Sequence, residues 1–471
     1  MPTISIDSLG GPLGFDVCRA MSKAKTFLDR HDDQQLLSLI GTTVENVALP
    51  RTINKAVMQK SYGGGTLAET DDLLAGRGLF YITEQGKLFL DCTAGHYQMS
   101  WGYGHPALTA MVQDGLAAGI VPDNHSNIPQ WPVKRLAQKL VEVANPDLPE
   151  LREGDFAQVC ASKTRLNTVL LGIATGSVAC EAALKIALLH HEQMKRPGPP
   201  VFVVLDGNYH GTGFFAQYLR GMWGSYIRNL EVATVQPNDG DELESVVARY
   251  QDRIAAFWAE PIMMNREAIR VEPEYLQLAQ RLVRRVGALL VMDEIQTGFW
   301  TPDVFMYKEC GIVPDIVIAG KGMSAGLHPL SAILYRHDLD LLAQYDAIST
   351  NGNAALAALV ALNNIELLQA YGCEILDTQE YYYQRLCALA AEFPDRIAAV
   401  HGSRAMTGLK FRRVDDAISF HKKCVENGLW LRVHAYHEGH STILCKFALC
   451  LKPVVVDEFI RRLRVLLEAG E

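Results

Sequence analysis

The apolar positions of this chain change pattern along its length. Between about Val169 and Ala319 they come as short unbroken runs: Thr168–Ile173, Val201–Leu205, Ala255–Ala259, Gly287–Met292 ending at Asp293, and Pro314–Ala319 ending at Gly320-Lys321. Unbroken runs of five or six residues describe strands covered on both faces, and those belong to parallel sheets. Between them apolar residues return at helical spacing, over Val178–His190 and Pro273–Val286. Strands alternating with helices predict an α/β domain with a largely parallel sheet. In such sheets ligands sit at the carboxyl ends of the strands. Asp293, Lys321 and the turn Thr175-Gly176-Ser177 all fall at that edge.

The flanks read differently. The first 60 residues predict helix and loop. Leu79–Thr83, a turn at Glu84-Gln85-Gly86 and Lys87–Cys92 predict a hairpin, and Ala107–Ala117 a helix. After about Ala343 come amphipathic helices at Ala354–Tyr371 and Asp377–Glu392, strands near Ala398–Val400 and Gly408–Phe411, and a helix at Asp415–Asn427. Strands at Trp430–Val433 and Thr442–Ala448 and a helix at Val456–Ala469 follow. This predicts a smaller α+β domain. The expected organisation is an N-terminal segment (1–77) packing with the small domain, a large domain over 78–345, and the small domain over 346–471.

Composition adds exclusions. A 471-residue chain with 49% hydrophobic and 21% charged residues has the make-up of a globular protein. A net charge of −9 gives a nucleic-acid partner no electrostatic support. The ten cysteines stand singly with no C-x-x-C pair, so neither a metal centre nor a redox motif is expected, and a reducing, cytoplasmic setting is. The first twenty residues lack a basic region followed by an apolar run, and no apolar stretch reaches the ~18–20 residues of a membrane span.

Several residues at the carboxyl edge carry chemistry. Lys321 ends a buried strand, where an amine is costly unless neutralised or used covalently. Alone, it reads equally as a surface lysine in the glycine-rich loop Gly320–Gly326. Asp293 ends the preceding strand, with a turn former as the alternative. Their separation fits one crossover unit, which would put both at neighbouring strand ends. Thr175-Gly176-Ser177 opens a helix, whose free amides attract an anion; a plain helix cap, with Glu181 closing a capping box, is the alternative. Tyr209-His210-Gly211 brings an aromatic ring to another strand end. A lysine amine to form an imine, a carboxylate for a pyridine nitrogen, a phosphate-binding helix start and a stacking ring are what a pyridoxal 5'-phosphate site needs.

The order and joint spacing of these segments matter more than any one of them. The stretch from Met292 to Leu334, with its Asp293-Glu294-x-x-Thr297-Gly298 start, Pro314-Asp315 and Gly320-Lys321, resembles the signature of the class III (ornithine/GABA/ω-amino type) aminotransferases, of fold type I. Gly176–Ala187, Asn208–Gly211 and Ala259–Ile262 resemble the same family's phosphate-loop, ring-stacking and Glu-Pro segments. The resemblance runs from about Gly78 to the C-terminus. It implies a large domain with a mostly parallel sheet of the seven-stranded type, flanked by helices.

By resemblance, Lys321 forms the imine with pyridoxal phosphate and moves the proton, and Asp293 pairs with the pyridine nitrogen. Gln296 lies near the cofactor's phenolic oxygen. Gly176, Ser177 and the Val178 amide hold the phosphate. Tyr209 stacks on the ring, His210 lies beside it, and Glu260 supports the ring edge. A threonine after the lysine would reach the phosphate of a neighbouring subunit; Thr350 is the candidate and Ser349 the alternative. The resemblance thus implies a homodimer with shared active sites, acting on an amino donor and a carbonyl acceptor.

The substrate half departs from the family pattern. Asn265 stands where many members have an acidic residue. Lys446 stands where an arginine precedes two prolines, and lysine cannot make arginine's bidentate fork to a carboxylate. Arg404 or Arg432 could meet an acidic group, or be plain surface arginines. Tyr97 and Trp101 could pack on a ring or sugar and His96 and Gln98 bond hydroxyls, with core packing the alternative for the two aromatic residues. These departures suggest a cyclic or polyhydroxylated natural-product intermediate as acceptor. Aminomutase, racemase or decarboxylase chemistry would use the same Lys321 and Asp293. A dinucleotide-binding dehydrogenase is disfavoured because Gly320–Gly326 lacks the G-x-G-x-x-G spacing.

Overall fold

Seven of the chain's apolar segments come together in one sheet. The computed structural model describes residues 5, 8, 11–50, 72–125, 127–148, 155–350, 352–435, 437 and 439–469. The stretch 51–71, part of the expected N-terminal segment, and Asn351 lie outside them. Contacts divide the chain into two compact units. One is Met1–His96, Trp101–His105 and Ile375–Glu471; the other is Tyr97–Ser100 and Pro106–Glu374.

The second unit holds the large sheet. Its strands are β1 (Thr168–Ile173), β2 (Val201–Leu205), β3 (Glu231–Val235), β4 (Ile254–Ala259), β5 (Leu289–Asp293), β6 (Ile316–Ala319) and β7 (Ser331–Tyr335), in the order β1-β7-β6-β5-β4-β2-β3. All neighbours pair in parallel except β7, which runs against both β6 and β1. Strands β2, β4, β5, β6 and β7 are buried at every position, as their unbroken apolar runs require. The helix Gly176–Gln193 meets the sheet with small residues, among them Ala179, Ala182, Ala183 and Ala187, so its backbone approaches closely. The helix Pro273–Arg285 starts on proline and buries Tyr275, Leu276, Ala279, Leu282 and Val283 at helical spacing. It ends before Gly287, whose φ of +65° turns the chain into β5.

The first unit contains two four-stranded sheets. One pairs Leu73–Arg77, Phe80–Thr83 and Leu88–Asp91 with Leu429–Trp430; the other orders Ile397–Ser403, Met406–Phe411, Thr442–Lys446 and Arg432–His434. These pairings differ from the domain bounds expected above. The hairpin, expected in the large domain, groups with the C-terminal residues because Leu88–Asp91 pairs in parallel with Leu429–Trp430. The helix Ala355–Ala370, expected in the small domain, belongs to the large-sheet unit, where it packs on Pro106–Ala117 and Trp131–Ala144. Among the described residues no single helix is long and apolar enough to cross a membrane.

Candidate active site

The carboxyl edge of the large sheet gathers most of the residues singled out from the sequence. Asp293 is the last residue of β5 and pairs in register with Ile318 of β6, so Lys321, three residues on, follows at the neighbouring strand end. The Asp293 carboxylate is 3% exposed. Its Oδ1 accepts the Ile295 N–H at 3.0 Å. Its Oδ2 lies 2.8 Å from His210 Nδ1 and 3.7 Å from the Cys180 thiol, which donates to it. Burial, then the Asp293 charge, pushes that thiol well above its ordinary value, so Cys180 stays a neutral donor. With the carboxylate on Nδ1, the His210 Nε2 is left buried with no partner among the described residues.

Lys321 stands at φ +42°, a left-handed conformation rare for a non-glycine residue. Its Nζ lies 5.9 Å from the centre of the Tyr97 ring, over its face. The following Gly322 is held against Trp300: a β-carbon there would lie 2.2 Å from the indole ring. The Tyr97 ring is itself 2% exposed. It ends a turn in which Ala94, Gly95, His96 and Tyr97 have φ of +48°, +58°, +66° and +68°, a single left-handed helical turn. At its start the buried Asp91 carboxylate accepts the Thr93 N–H and hydroxyl and the Gly95 N–H, each at 2.7 Å, and the Tyr103 hydroxyl at 2.8 Å.

The helix Gly176–Gln193 begins at the end of β1. Thr175 makes no capping bond, and among the described residues no side chain bonds the amides of Gly176, Ser177 and Val178. The Ser177 hydroxyl instead accepts the Thr212 N–H at 3.1 Å. Glu181 does not complete the capping box considered above. Its Oε1 accepts the Phe215 and Ala216 amides at 3.0 and 3.2 Å, capping the neighbouring helix Phe214–Leu219. Tyr209 is half-buried, with the Arg220 guanidinium 5.2 Å from its ring centre.

Glu260, just past β4, is 2% exposed; its Oε1 accepts the Tyr209 N–H at 3.0 Å and its Oε2 the Gln296 side-chain amide at 3.2 Å. The same Gln296 amide donates to Asn265 Oδ1 at 3.1 Å. Burial pushes Glu260 up to about 7, with the neighbouring His210 opposing the shift and Asp293 adding to it. Glu294, next to Asp293, is wholly buried; it accepts the Tyr307 N–H at 2.6 Å and the Thr297 hydroxyl, and burial pushes it to about 7 as well. The Ser349-Thr350 loop lies at the same edge. The Ser349 N–H donates to Gly172 O in β1 at 2.7 Å, and Thr350 is exposed.

The other substrate candidates belong to the first unit. Trp101 is 5% exposed and packs 5.2 Å from the His105 ring. Arg404 holds φ +52° in the turn between Ile397–Ser403 and Met406–Phe411. Arg432 meets the His96 ring at 3.0 Å. Lys446 has no exposed surface, and its N–H donates to Cys92 O at 2.8 Å.

The arrangement suits a flat, anionic, nitrogen-bearing cofactor. A buried carboxylate backed by an imidazole is ready for a ring N–H, a lysine stands one strand away, and a helix start offers uncapped amides to a phosphate. Comparison with known proteins bears on the same question. The family model "Aminotransferase class-III" matches residues 71–466. An acetylornithine aminotransferase of Thermosynechococcus vestitus is 27% identical over 72% of this chain and 79% of its own length. A glutamate-1-semialdehyde 2,1-aminomutase of Symbiobacterium thermophilum is 28% identical over 74% and 75%. Among solved structures, a transaminase from the marine bacterium Virgibacillus superposes with a TM-score of 0.73 at 18% identity, covering 89% of this chain and 96% of that one.

Proposed function

We propose, from the premise that this chain belongs to the class III aminotransferase family, that Lys321, Asp293 and the Gly176–Val178 turn are its working parts. As a member of that family it is a pyridoxal-phosphate-dependent transaminase of fold type I, moving an amino group from an amino donor to a carbonyl acceptor. The observation that carries the assignment of residues is that buried Asp293 and Lys321 fall at the ends of adjacent strands.

When bound, pyridoxal phosphate supplies an electrophilic carbon for the amine and a ring that draws electrons from the amine's α-carbon. The chain's own groups do the rest. Asp293, buried and ready to accept, would bind the ring nitrogen and keep it protonated. His210 Nδ1–H fixes the carboxylate's orientation, as a second partner does for a metal ligand. The amides of Gly176, Ser177 and Val178 would take the phosphate, and the Tyr209 ring, with Arg220 over it, would stack on the cofactor. Glu260 and Gln296 form a hydrogen-bonded pair that would flank the ring edge. Lys321 Nζ would hold the cofactor and would serve as the amine that takes a proton from, and returns it to, the substrate's α-carbon.

Three finer points belong to this reading. Thr350, or Ser349, reaches the phosphate of a second copy, making a homodimer with shared sites; its exposure beside Gly172 at the carboxyl edge supports this. The acceptor is cyclic or polyhydroxylated, a biosynthetic intermediate. Its support is the Tyr97 ring beside Lys321 and the neutral Asn265, tied to Gln296 where a carboxylate would recruit a cation. The setting is cytoplasmic, where ten unpaired cysteines persist. A second reading, an aminomutase that returns the amino group to the same molecule, is favoured by the aminomutase relative.

The test is absorbance of the holoenzyme against a panel of amines, for wild type and Lys321→Ala. Transamination predicts stoichiometric bleaching of the cofactor band by the amine alone, reversed by the acceptor. Borohydride should fix the cofactor to wild type and not to the variant; equal fixation in both would overturn the assignment of Lys321. Turnover of simple α- or ω-amino acids alone would remove the cyclic acceptor and leave the rest.

A further inference from the structure

The large-sheet unit carries a second concave site, at the opposite edge of the same sheet. A cavity of about 890 Å³ is lined by Leu289, the first residue of β5, by Asp315 just before β6, by Leu166 shortly before β1, and by Arg336 just after the antiparallel β7. All four mark the amino edge. From Leu289 to Asp293 is one strand, about 13 Å at ~3.3 Å per residue, so the cavity is separate from the carboxyl-edge site. Its volume is in the range of small-molecule sites, ~300–1,000 Å³.

Its charges are unbalanced. Five lysine and arginine side chains line it, against the carboxylates of Asp147 and Asp315. Two of the cations are spent: Arg165 grips Asp147 with two bonds of 2.6 Å, and Arg336 binds Asp315 and Asp338. The other three have no ion-pair partner among the described residues. Lys308 Nζ donates only to the carbonyls of Val143 (2.6 Å) and Asp303 (2.8 Å), and burial lowers its pKa. Arg284 donates to the Val313 carbonyl at 3.0 Å, and Lys163 is exposed. In the same wall the His190 Nδ1 is buried with no partner. Burial, with Arg196 and Arg336 nearby, pushes its pKa down to about 4, so the imidazole is neutral at pH 7 and can bond an oxygen. Met194, Ile312 and the Tyr307 ring give the cavity an apolar part.

We propose that this cavity binds a small organic oxyanion, its carboxylate or phosphate head among Lys163, Arg284 and Lys308 and its body against Met194, Ile312 and Tyr307. A charged head gains attraction from three cations that make no ion pair among the described residues. The unpartnered imidazole nitrogen gains a hydrogen bond that its burial otherwise denies it. An excess of cations, three of them outside any ion pair among the described residues, is a poor arrangement for stability alone, since like charges repel.

The test uses holoenzyme whose cofactor has been fixed by borohydride, which keeps the carboxyl-edge phosphate site filled. Citrate and phenyl phosphate are titrated calorimetrically into wild type and into the double variant Lys163→Glu/Arg284→Glu. Both positions are exposed, so the variant folds, with circular dichroism as the check; Lys163→Gln/Arg284→Gln is the milder substitute. Saturable binding of either probe to wild type is expected, weakened at least ~10-fold in the double variant, and the probe that binds identifies the head group. Failure of both probes to bind wild type up to ~10 mM, or equal binding by the variant, overturns the proposal.

Discussion

Glu294 lies wholly buried behind Asp293, and its ionisation should be visible in the protein's stability. Burial raises its carboxyl from an ordinary 4.5 to about 7. The folded state therefore holds this proton more tightly than the unfolded chain does. Between pH 4.5 and 7 the folded form binds more protons, so stability falls as pH rises through that window; the favourable contribution is complete below 4.5 and gone above 7. A shift of about 2.5 units at ~1.36 kcal/mol each makes the effect about 3 kcal/mol. Glu294→Gln keeps the shape of the protonated acid at every pH and removes this dependence. With an unfolding entropy of ~2.1 cal/mol/K per residue, about 1 kcal/mol/K for the whole chain, the effect is about 3 °C in Tm. The assay is thermal unfolding of both proteins from pH 5 to 8, read as the difference between their Tm values at each pH. Wild type should lose about 3 °C relative to the variant as pH rises across this range. A flat difference would refute the placement of an ionisable, desolvated carboxyl at this position.

Two further outcomes follow from contacts at the carboxyl edge. Asp293→Asn should lower kcat by ~10²-fold or more with little change in Tm, because the amide accepts a hydrogen bond from His210 but brings no negative charge to the ring nitrogen; wild-type kcat in steady-state assays would contradict its assigned role. Gly322→Ala should cost ~1–3 kcal/mol, since its β-carbon would overlap the Trp300 ring, and urea unfolding measures it.

The sequence was most informative where burial was complete. Val201–Leu205 is apolar at every position and its ends are those expected. Glu231–Val235 escaped notice because its burial alternates and it carries Glu231 and Thr234, which blend into loop. Ser331–Tyr335, a buried strand a few residues past the glycine-rich loop, was not assigned from the sequence. The helix Trp131–Ala144 has an amphipathic pattern, burying Val133, Leu136 and Leu140 with Lys134 and Lys139 outside that stripe, and it went unread. In the site, Asp293 and Lys321 were visible because chemistry at a strand end stands out against an apolar run. The bond between Asp293 and His210 joins residues 83 positions apart, a pairing that only the β5, β4, β2 strand order creates. The same holds for Glu181, which local spacing assigns to its own helix start and the fold gives to another.

The left-handed turn at Ala94–Tyr97 has a consequence for reading side chains in this region by analogy. In an ordinary turn, successive side chains advance around the axis in one rotational sense; here the rotation is reversed for four residues. His96 and Tyr97 therefore project in a sequence that a right-handed template would mirror. A right-handed reading of this stretch would misplace the Tyr97 ring that lies beside Lys321. Along this stretch the handedness of the backbone decides what the amino acids can touch, before their identity does.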